Sequence, residues 1–468
     1  MTKHMSLALD LSFSHMEGRW RLPGSWVGRQ FPDLAMYKEL ALIAERGCMD
    51  MIFFGDGTGI PSAYGSSRDP AIYWGVGYPR QDMSPYIAAL SQITSHIGFG
   101  LTYSSTYMHP FYVARLLNSL DHVTGGRIAF NVVTSSRPAD AANYGFDQLM
   151  DHDERYVRME EFVDVCQRLW RSSAPDAFVW DANTGQVADP SKVRPINHRG
   201  KYFSVAGPLN SVPSPQGAPV LIQAGGSARG IAASARFADV IFAAGHSLER
   251  VAVHRKALDE ALLAQGRDPS QVGILWDIQV VVGETGDDAR ARKNALFGLL
   301  PREAVGASLS ANSGYDFSAL PSRFVLGDLH EQIIRKNASP VGFIGSLVGT
   351  HGVDYEMSRD ELFEIGWRQV SGFDHTIAGS YAEVADELEE IFEASGSRGG
   401  FMIAHPQVTP RDLVEVVGLL IPELRRRGRF RESYEGSTLR ETLGVGPFPV
   451  CVAGDTGTIT PADGLPVA

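Results

Sequence analysis

Residues 125–156, GGRIAFNVVTSSRPADAANYGFDQLMDHDERY, hold a strand, a loop and the start of a helix, and they decide the fold. The run IAFNVVT is apolar and β-branched, and a pair of glycines and a pair of serines bracket it. Such a run predicts a strand covered on both faces, as in parallel α/β sheets. After the loop, Phe162, Cys166 and Leu169 recur at the spacing of one helix face, which predicts a strongly amphipathic helix.

An amide within this strand, Asn131, is the first candidate for function. A buried amide needs hydrogen-bond partners, and near the C-terminal end of a barrel strand it often finds them in a ligand. His152 and Tyr156 are four residues apart on the following helix and share a face. The plainer interpretation makes Asp151 a helix cap, Glu154 its partner in a capping box and Tyr156 a half-buried aromatic. On these residues alone the plainer interpretation is favoured, because caps are commoner than ligand sites.

The same alternation of strand and helix repeats along the chain. Eight short apolar strands alternating with helices predict a (β/α)8 TIM barrel with insertions, and a doubly wound open sheet is the structural alternative. The predicted strands begin near residues 7, 49, 97, 128, 218, 238, 274 and 400. We predict a single barrel domain over residues 1–445, with insertions near 171–217 and 301–375, and a C-terminal tail over 446–468.

Two of these segments carry further expectations. The 301–375 insertion has little periodicity and is rich in Gly, Ser and Asp, so we expect a mobile lid over the barrel mouth. The stretch after Gly428 has too little apolar surface for its own core. We therefore expect it to pack across a barrel end or a neighbouring subunit.

Bulk composition limits the class of protein. The 468 residues are 44% hydrophobic and 21% charged, as in an ordinary globular protein. The net charge is −12 and Lys and Arg are scattered, so we expect a small-molecule partner and neither nucleic acid nor membrane. Three widely spaced cysteines indicate neither a disulfide framework nor a zinc site, and no metal site is predicted. Because Asp10 interrupts the apolar N-terminal run, we expect a cytoplasmic protein without a signal peptide.

Several common motifs are absent from the sequence. Neither G-x-G-x-x-G nor G-x-x-x-x-G-K-[ST] occurs, so a Rossmann site for NAD(P)H and a nucleotide P-loop are not expected. The absence of H-E-x-x-H and G-x-S-x-G removes the common metalloprotease and hydrolase interpretations.

Small polar residues and glycines instead follow the predicted strands, where barrel enzymes place their sites. They are Asp56, Thr102, Asn131 and the turn Gly225-Gly226-Ser227. The turn leads into a helix and presents backbone N–H groups and the positive end of the helix dipole to an anion such as phosphate. An ordinary turn with Ser227 as N-cap explains the same residues equally well. Asp56 is either a functional carboxylate or a turn residue, and Arg229 either pairs with the anion or is solvated.

Five segments, FNVVTS, HDERY, SPQGAPVLIQAG, ADELEEIFEA and PELRRRGRFRESYEGSTLRETLG, occur in order between residues 130 and 444. Together they resemble the bacterial-luciferase-like flavin-dependent monooxygenases, in the branch of nitrilotriacetate monooxygenase component A, dibenzothiophene-sulfone monooxygenase and pristinamycin synthase. The resemblance implies reduced FMN supplied by a separate NAD(P)H:FMN reductase. It also implies that O2 forms a peroxyflavin, which oxygenates a small organic substrate, and that the chain forms a homodimer or homotetramer.

The resemblance assigns cofactor contacts position by position. The positions that match FMN contacts in relatives are Asp56, Thr102, His152, Tyr156 and Ser227, and Asn131 falls in the motif of the fourth strand. Gly226, Ser227 and the Tyr156 hydroxyl are implied to bind the phosphate, with His152 at the ribityl or phosphate end. Asp56, Thr102 and Asn131 are implied to lie nearer the ring and the ribityl chain.

Segments on the expected substrate side depart from the family pattern. The chain has SHMEGRW, SRP and FDHTIAGS where relatives have a histidine-rich segment, an acidic or amide residue and a Val-Gly-Thr-Pro-like segment. His15 and Trp20, near the end of the first strand, are candidates for the substrate pocket. Two alternative functions stay open at this point: a deazaflavin-dependent dehydrogenase on the same barrel and a flavin-binding protein without turnover.

Overall fold

The structure is a computed structural model that describes residues 4–12, 19–25, 31–245, 247–337, 342–369, 371–404 and 409–449. Eight parallel strands pair in chain order and close into a barrel where the last strand pairs with the first. They are β1 (Ser6–Asp10), β2 (Met51–Phe54), β3 (Gly98–Ser104), β4 (Ile128–Val133), β5 (Val220–Ala224), β6 (Val240–Ala244), β7 (Gly273–Gly283) and β8 (Gly399–Ala404). The predicted (β/α)8 barrel is confirmed.

The barrel strands lack polar alternation because both of their faces are covered. In β4, Phe130 packs towards the surrounding helices, whereas Ala129 belongs to the apolar cluster inside the barrel. The rings of Phe53 and Phe242 stack across the interior with centroids 5.8 Å apart. This packing makes the interior a core and leaves the C-terminal ends of the strands as the place for a site.

Helices follow the barrel strands and pack outside them. In chain order they are Leu34–Arg46, Ser84–Leu90, Pro110–Thr124, His152–Trp170, Ala228–Phe237, Leu248–Ala264, Tyr381–Ala394 and the run Pro410–Glu415, Val416–Leu420 and Ile421–Arg426. Gly125, with φ of 69°, ends one helix, and Asp151 caps the next. The predicted capping box at Glu154 is not observed, because this carboxylate accepts from Lys201 and Tyr202 instead.

The two predicted insertions contain regular structure of their own. Two short hairpins lie between β4 and β5: Phe178–Asp181 with Gln186–Ala188, and His198–Arg199 with Ser204–Val205. The 301–375 region contains the helices Arg302–Ser313, Leu326–Asn337, Gly342–His351 and Arg359–Gln369. It also contains a two-stranded antiparallel sheet, Arg323–Val325 with Glu356–Ser358.

The 301–375 segment has regular structure that its composition does not indicate, and its role as a mobile lid stays a prediction. Its helices bury a separate apolar core that includes Leu309, Phe317 and Leu326. Apolar residues in Leu326–Asn337 do recur at helical spacing, but the Gly- and Ser-rich composition around them hid that pattern. The segment is therefore a packed helical layer beside the barrel.

Residues 429–449 pack across the N-terminal end of the barrel, as predicted, and the rest of the predicted tail, 450–468, lies outside the described residues. Leu439 joins the apolar cluster inside the barrel, and its side chain occupies the space that a Cβ on Gly98 would need. Arg431 pairs with Asp50 at 2.5 Å, and Arg440 pairs with Asp239 at 2.8 Å. These residues thus cover the N-terminal end of the barrel, where a cavity of about 450 Å³ lies between them and Trp170. The cavities at the C-terminal ends of the strands lie on the opposite side.

Candidate functional site

Three adjoining cavities lie at the C-terminal end of the barrel strands. The central cavity, of about 420 Å³, is lined by residues after β2 and β3, including Asp56 and Thr102. The Tyr156 cavity, of about 230 Å³, shares Asp56 with it and extends to the end of β5. The Arg19 cavity, of about 210 Å³, shares Gly77 with the central cavity and Arg137 with the Tyr156 cavity. The three cavities therefore form one connected mouth.

Asp56 stands between the central and Tyr156 cavities. The backbone N–H of Gly57 donates to its carboxylate at 2.7 Å, and burial raises the pKa of Asp56. Burial also lowers the pKa of Arg80 to about 10, with Arg137 as a second cause of the lowering. Because Arg80 also donates to the Gly55 carbonyl at 3.3 Å, this guanidinium is fixed at the rim of the central cavity.

Thr102 and Asn131 form a buried hydrogen-bonded chain beside the central cavity. Asn131 Nδ2 donates to Thr102 Oγ1 at 2.9 Å, and that hydroxyl donates to the Phe54 carbonyl at 3.0 Å. Within the described residues Asn131 Oδ1 is buried without a hydrogen-bond partner. An unpaired buried acceptor costs about 1–3 kcal/mol, so its presence points to a polar ligand or water nearby.

The glycine turn after β5 faces the Tyr156 hydroxyl. Ser227 caps the helix Ala228–Phe237 by accepting from the Gly230 N–H at 3.0 Å, as predicted. A Cβ on Gly230 would lie 3.2 Å from both Ser227 Oγ and Tyr156 Oη, so the two hydroxyls flank the same helix start. A Cβ on Gly226 would meet no atom within 4 Å, so the turn is open. Hydroxyls and free N–H groups at a helix start suit an anion.

His152 and Arg229 border this region from the two helices. The His152 ring lies 5.2 Å from the Tyr156 ring, and its Nδ1 is 2.8 Å from the Asp153 carboxylate. Arg229 forms an ion pair with Glu160 at 2.7 Å and stacks over the Tyr156 ring at 5.1 Å. Arg229 is thus held on a carboxylate, which neither sequence alternative anticipates.

Asp140 locks the loop after β2 in place, and sequence reasoning misses it. Its carboxylate accepts from the backbone N–H groups of Thr58 and Gly59 at 2.7 and 2.6 Å. A Cβ on Gly59 would lie 2.3 Å from the Ala139 backbone, so only glycine allows this approach. The loop that carries Asp56 is therefore positioned by contacts more than eighty residues away in sequence, which no local pattern signals.

Of the two candidates for the substrate pocket, His15 and Trp20, the structure describes only Trp20. His15 lies outside the described residues. Trp20 is 45% exposed and does not line the three cavities, whereas the preceding residue, Arg19, is buried and lines one of them. Gln223, a buried amide in β5 that lines the Tyr156 cavity, also goes unnoticed. Like Asn131, Gln223 is a single amide in an apolar strand, so the same sequence pattern could have identified it.

Two carboxylates face the barrel interior on the other side of the mouth. Asp277 in β7 is in register with Met402, which is an interior residue, and Asp10 lies at the end of β1. Burial, followed by repulsion from Asp10, raises the pKa of Asp277 to about 7. The raised pKa means that the folded state binds the extra proton between about pH 4 and 7. The contribution of this group to stability is full below pH 4 and is lost as the pH rises through 7.

The variant Asp277→Asn tests this linkage. Because asparagine removes the ionisation, we expect it to raise the free energy of unfolding by on the order of 2 kcal/mol more at pH 8 than at pH 5. Thermal unfolding at both pH values measures the difference. Exposed Asp147→Asn is the control, with no pH-dependent gain expected. Equal gains at both pH values for Asp277→Asn would show that its carboxyl titrates normally.

Membrane-spanning helices and clusters of metal ligands are both absent from the described part of the chain. No helix there is both long and apolar enough to cross a membrane. No group of three or more His, Cys, Asp or Glu side chains there could hold a metal ion.

The sequence and the fold are similar to those of known monooxygenases. Residues 16–398 match the family described as luciferase-like monooxygenase. Dibenzothiophene-sulfone monooxygenase of Rhodococcus erythropolis is 34% identical, covering 95% of this chain and 98% of the relative. Nitrilotriacetate monooxygenase component A of Aminobacter aminovorans is 33% identical, covering 95% and 97%. The crystal structure of long-chain alkane monooxygenase superposes with a TM-score of 0.84 at 32% identity, covering 96% and 97%.

Proposed function

The chain belongs to the luciferase-like monooxygenase family and is a flavin-dependent monooxygenase, and we propose that it is the oxygenase of a two-component system. In this proposal a separate NAD(P)H:FMN reductase supplies reduced FMN, and O2 is the co-substrate. One relative is named component A, and this chain has no dinucleotide motif, which supports a separate reductase. The relatives at 33–34% identity over 95% of the chain are named monooxygenases, which favours this function over the deazaflavin-dependent dehydrogenase and the non-catalytic flavin protein.

The residues of the mouth fit FMN. The central and Tyr156 cavities adjoin, so together they offer an elongated space from the end of β3 to the last residue of β5, which precedes the glycine turn. Asn131 Oδ1 and Gln223 Oε1 are buried there without partners among the described residues, as expected for groups that meet a polar ligand. The observation that carries the proposal is the open turn at Gly226 followed by a helix start, at Gly230, that the Ser227 and Tyr156 hydroxyls flank.

Each candidate residue then has a role toward FMN. Ser227, Gly226 and Tyr156 would hold the phosphate, because their hydroxyl and N–H groups surround a helix start. His152 would border the phosphate or ribityl end from the neighbouring helix.

Asp56, Thr102 and Asn131 would lie nearer the ring and ribityl chain. The first two line the central cavity, and Asn131 fixes the orientation of the Thr102 hydroxyl. Asp140 would act only as a positioning residue, because it holds the loop that carries Asp56.

When bound, reduced FMN supplies the activation of O2 and the transfer of one oxygen atom to an organic substrate. The chain's own contribution is to bind the cofactor, orient it and exclude water. The helix Arg302–Ser313 closes one side of the mouth, since Ser308 and Asn312 line the Arg19 cavity. We further propose a homodimer or homotetramer, as the family resemblance implies.

The two-component assignment predicts that the purified chain with FMN and NADH does not oxidise NADH. Oxygen uptake above the background of the flavin is expected only when a flavin reductase is added. Absorbance at the NADH band and an oxygen electrode measure both results, with the reductase alone as the control. Steady NADH oxidation by the chain without added reductase would contradict the assignment.

A further inference from the structure

We propose that the Arg19 cavity binds the anionic end, a carboxylate or sulfonate, of the substrate. This inference names the substrate class of the proposed oxygenase and rests on that function. The cavity adjoins the central cavity through Gly77, so a molecule held in it by one end would extend toward the proposed flavin site.

The charge of the lining is the first support. Two guanidinium groups, Arg19 and Arg137, border the Arg19 cavity, and its described lining contains no carboxylate. This contrasts with the net charge of −12 for the whole chain. Arg19 is 6% exposed and lies over the Phe297 ring at 5.4 Å, so its position is fixed by packing. A carboxylate or sulfonate accepts charge-assisted hydrogen bonds from such groups.

The neutral residues of the lining also offer donors. Gln279 Oε1 already accepts from the Thr376 hydroxyl at 2.9 Å, which leaves its Nε2 group to donate into the cavity. Ser308 and Asn312 stand one helical turn apart and therefore share the face that lines the cavity. The polar groups thus suit a ligand rich in acceptor oxygens.

Arg137 is the residue that connects this cavity to the proposed flavin site. A Cβ on Gly57 would lie 3.2 Å from Arg137 Nη1 and 3.8 Å from both Arg80 Nη1 and Asp140 Oδ1, so Arg137 reaches the edge of the central cavity. The Asp140 carboxylate accepts from backbone N–H groups, and Arg137 makes no ion pair with a described carboxylate. Arg137 lines the Arg19 cavity, so an anion bound there would give this guanidinium a partner.

Calorimetric titration with small organic anions tests the proposal. Propane-1-sulfonate and butanoate are the probes, propane-1-sulfonamide and butanamide are their neutral counterparts, and the buffer is free of phosphate and low in chloride. FMN-free and FMN-loaded protein are both titrated. We expect saturable binding of the anions, and binding of the neutral molecules that is about tenfold weaker or more.

Variants of Arg137 locate the binding. Arg137→Met should weaken anion binding by about tenfold or more and leave the unfolding midpoint unchanged, while Arg137→Lys should recover part of the loss. Arg290→Met, on an exposed helix, is the matched control and should change nothing. Equal binding of anions and neutral molecules, or unchanged anion binding by Arg137→Met, would overturn the proposal.

The cofactor phosphate is the competing anion, and separate titrations with FMN and riboflavin distinguish it. If Arg137→Met weakens FMN but not riboflavin, the arginine holds the cofactor phosphate and the substrate proposal is wrong. If the wild-type protein binds the anion probes but not FMN in either redox state, the proposed function fails while the anion site stands.

Discussion

Ser227→Ala and Tyr156→Phe are each expected to weaken FMN binding by about 1–3 kcal/mol, because each removes a hydroxyl partner from the phosphate. This corresponds to about 5- to 150-fold in Kd, and quenching of flavin fluorescence on titration measures it. We expect comparable losses because both hydroxyls flank the start of the same helix. Riboflavin, which has no phosphate, should bind both variants as it binds the wild type.

A matched variant separates phosphate binding from helix capping. Ser227 caps its helix, so Ser227→Ala also removes a cap that stabilises the fold by about 1 kcal/mol. Ser247 caps the next helix in the same way, accepting from the Arg250 N–H, and does not line the three cavities. Ser247→Ala should therefore lower stability similarly and leave FMN affinity unchanged. Unchanged FMN affinity in both Ser227→Ala and Tyr156→Phe would remove the phosphate assignment.

Arg431→Met is expected to lower the free energy of unfolding by about 3–5 kcal/mol, because it leaves a buried carboxylate without its cation. The partner, Asp50, is fully buried, and it also accepts from the Leu7 N–H at 2.6 Å. Burial raises the pKa of Asp50 to about 6 even though the Arg431 guanidinium opposes the rise. Urea unfolding at pH 8, where the carboxyl is ionised, measures the loss.

Two further variants assign the effect of Arg431→Met to the buried pair. Adding Asp50→Asn should restore much of the stability, because the neutral amide no longer needs a cation. Arg335→Met removes an exposed arginine that pairs with Glu331 and should change stability by less than about 0.5 kcal/mol. A loss as small as that of Arg335→Met would contradict the role given to the Arg431 pair.

Local sequence patterns predict the strands and helices whose apolar residues recur at a regular spacing. The run IAFNVVT is apolar except for Asn131 and Thr134 because β4 is covered on both faces, so its strand and the following helix are evident. By contrast, the strand Thr376–Ser380 has the sequence TIAGS, with little β propensity. It forms because it pairs with the C-terminal half of β7, a partner almost a hundred residues away. Such long-range pairing has no local signal.

The candidate site follows the same division. Asn131 and Ser227 are identifiable because an amide in an apolar strand and a serine after two glycines are local patterns. Asp140, Arg80 and Arg137 are not, because the fold alone brings them to the mouth from the loops after β2 and β4. These three residues surround the loop that carries Asp56. Local patterns therefore identify site residues within or next to a regular element, and they miss those that the fold brings together from separate loops.

A crystal structure of this chain grown with FMN tests whether the cofactor binds in the barrel mouth. We expect the flavin in the adjoining central and Tyr156 cavities, with its phosphate at the Gly226 turn. Phosphate oxygens should lie about 2.7–3.2 Å from Ser227 Oγ and Tyr156 Oη. A phosphate bound instead by Arg19 and Arg137, or a flavin bound outside the barrel mouth, would contradict the account.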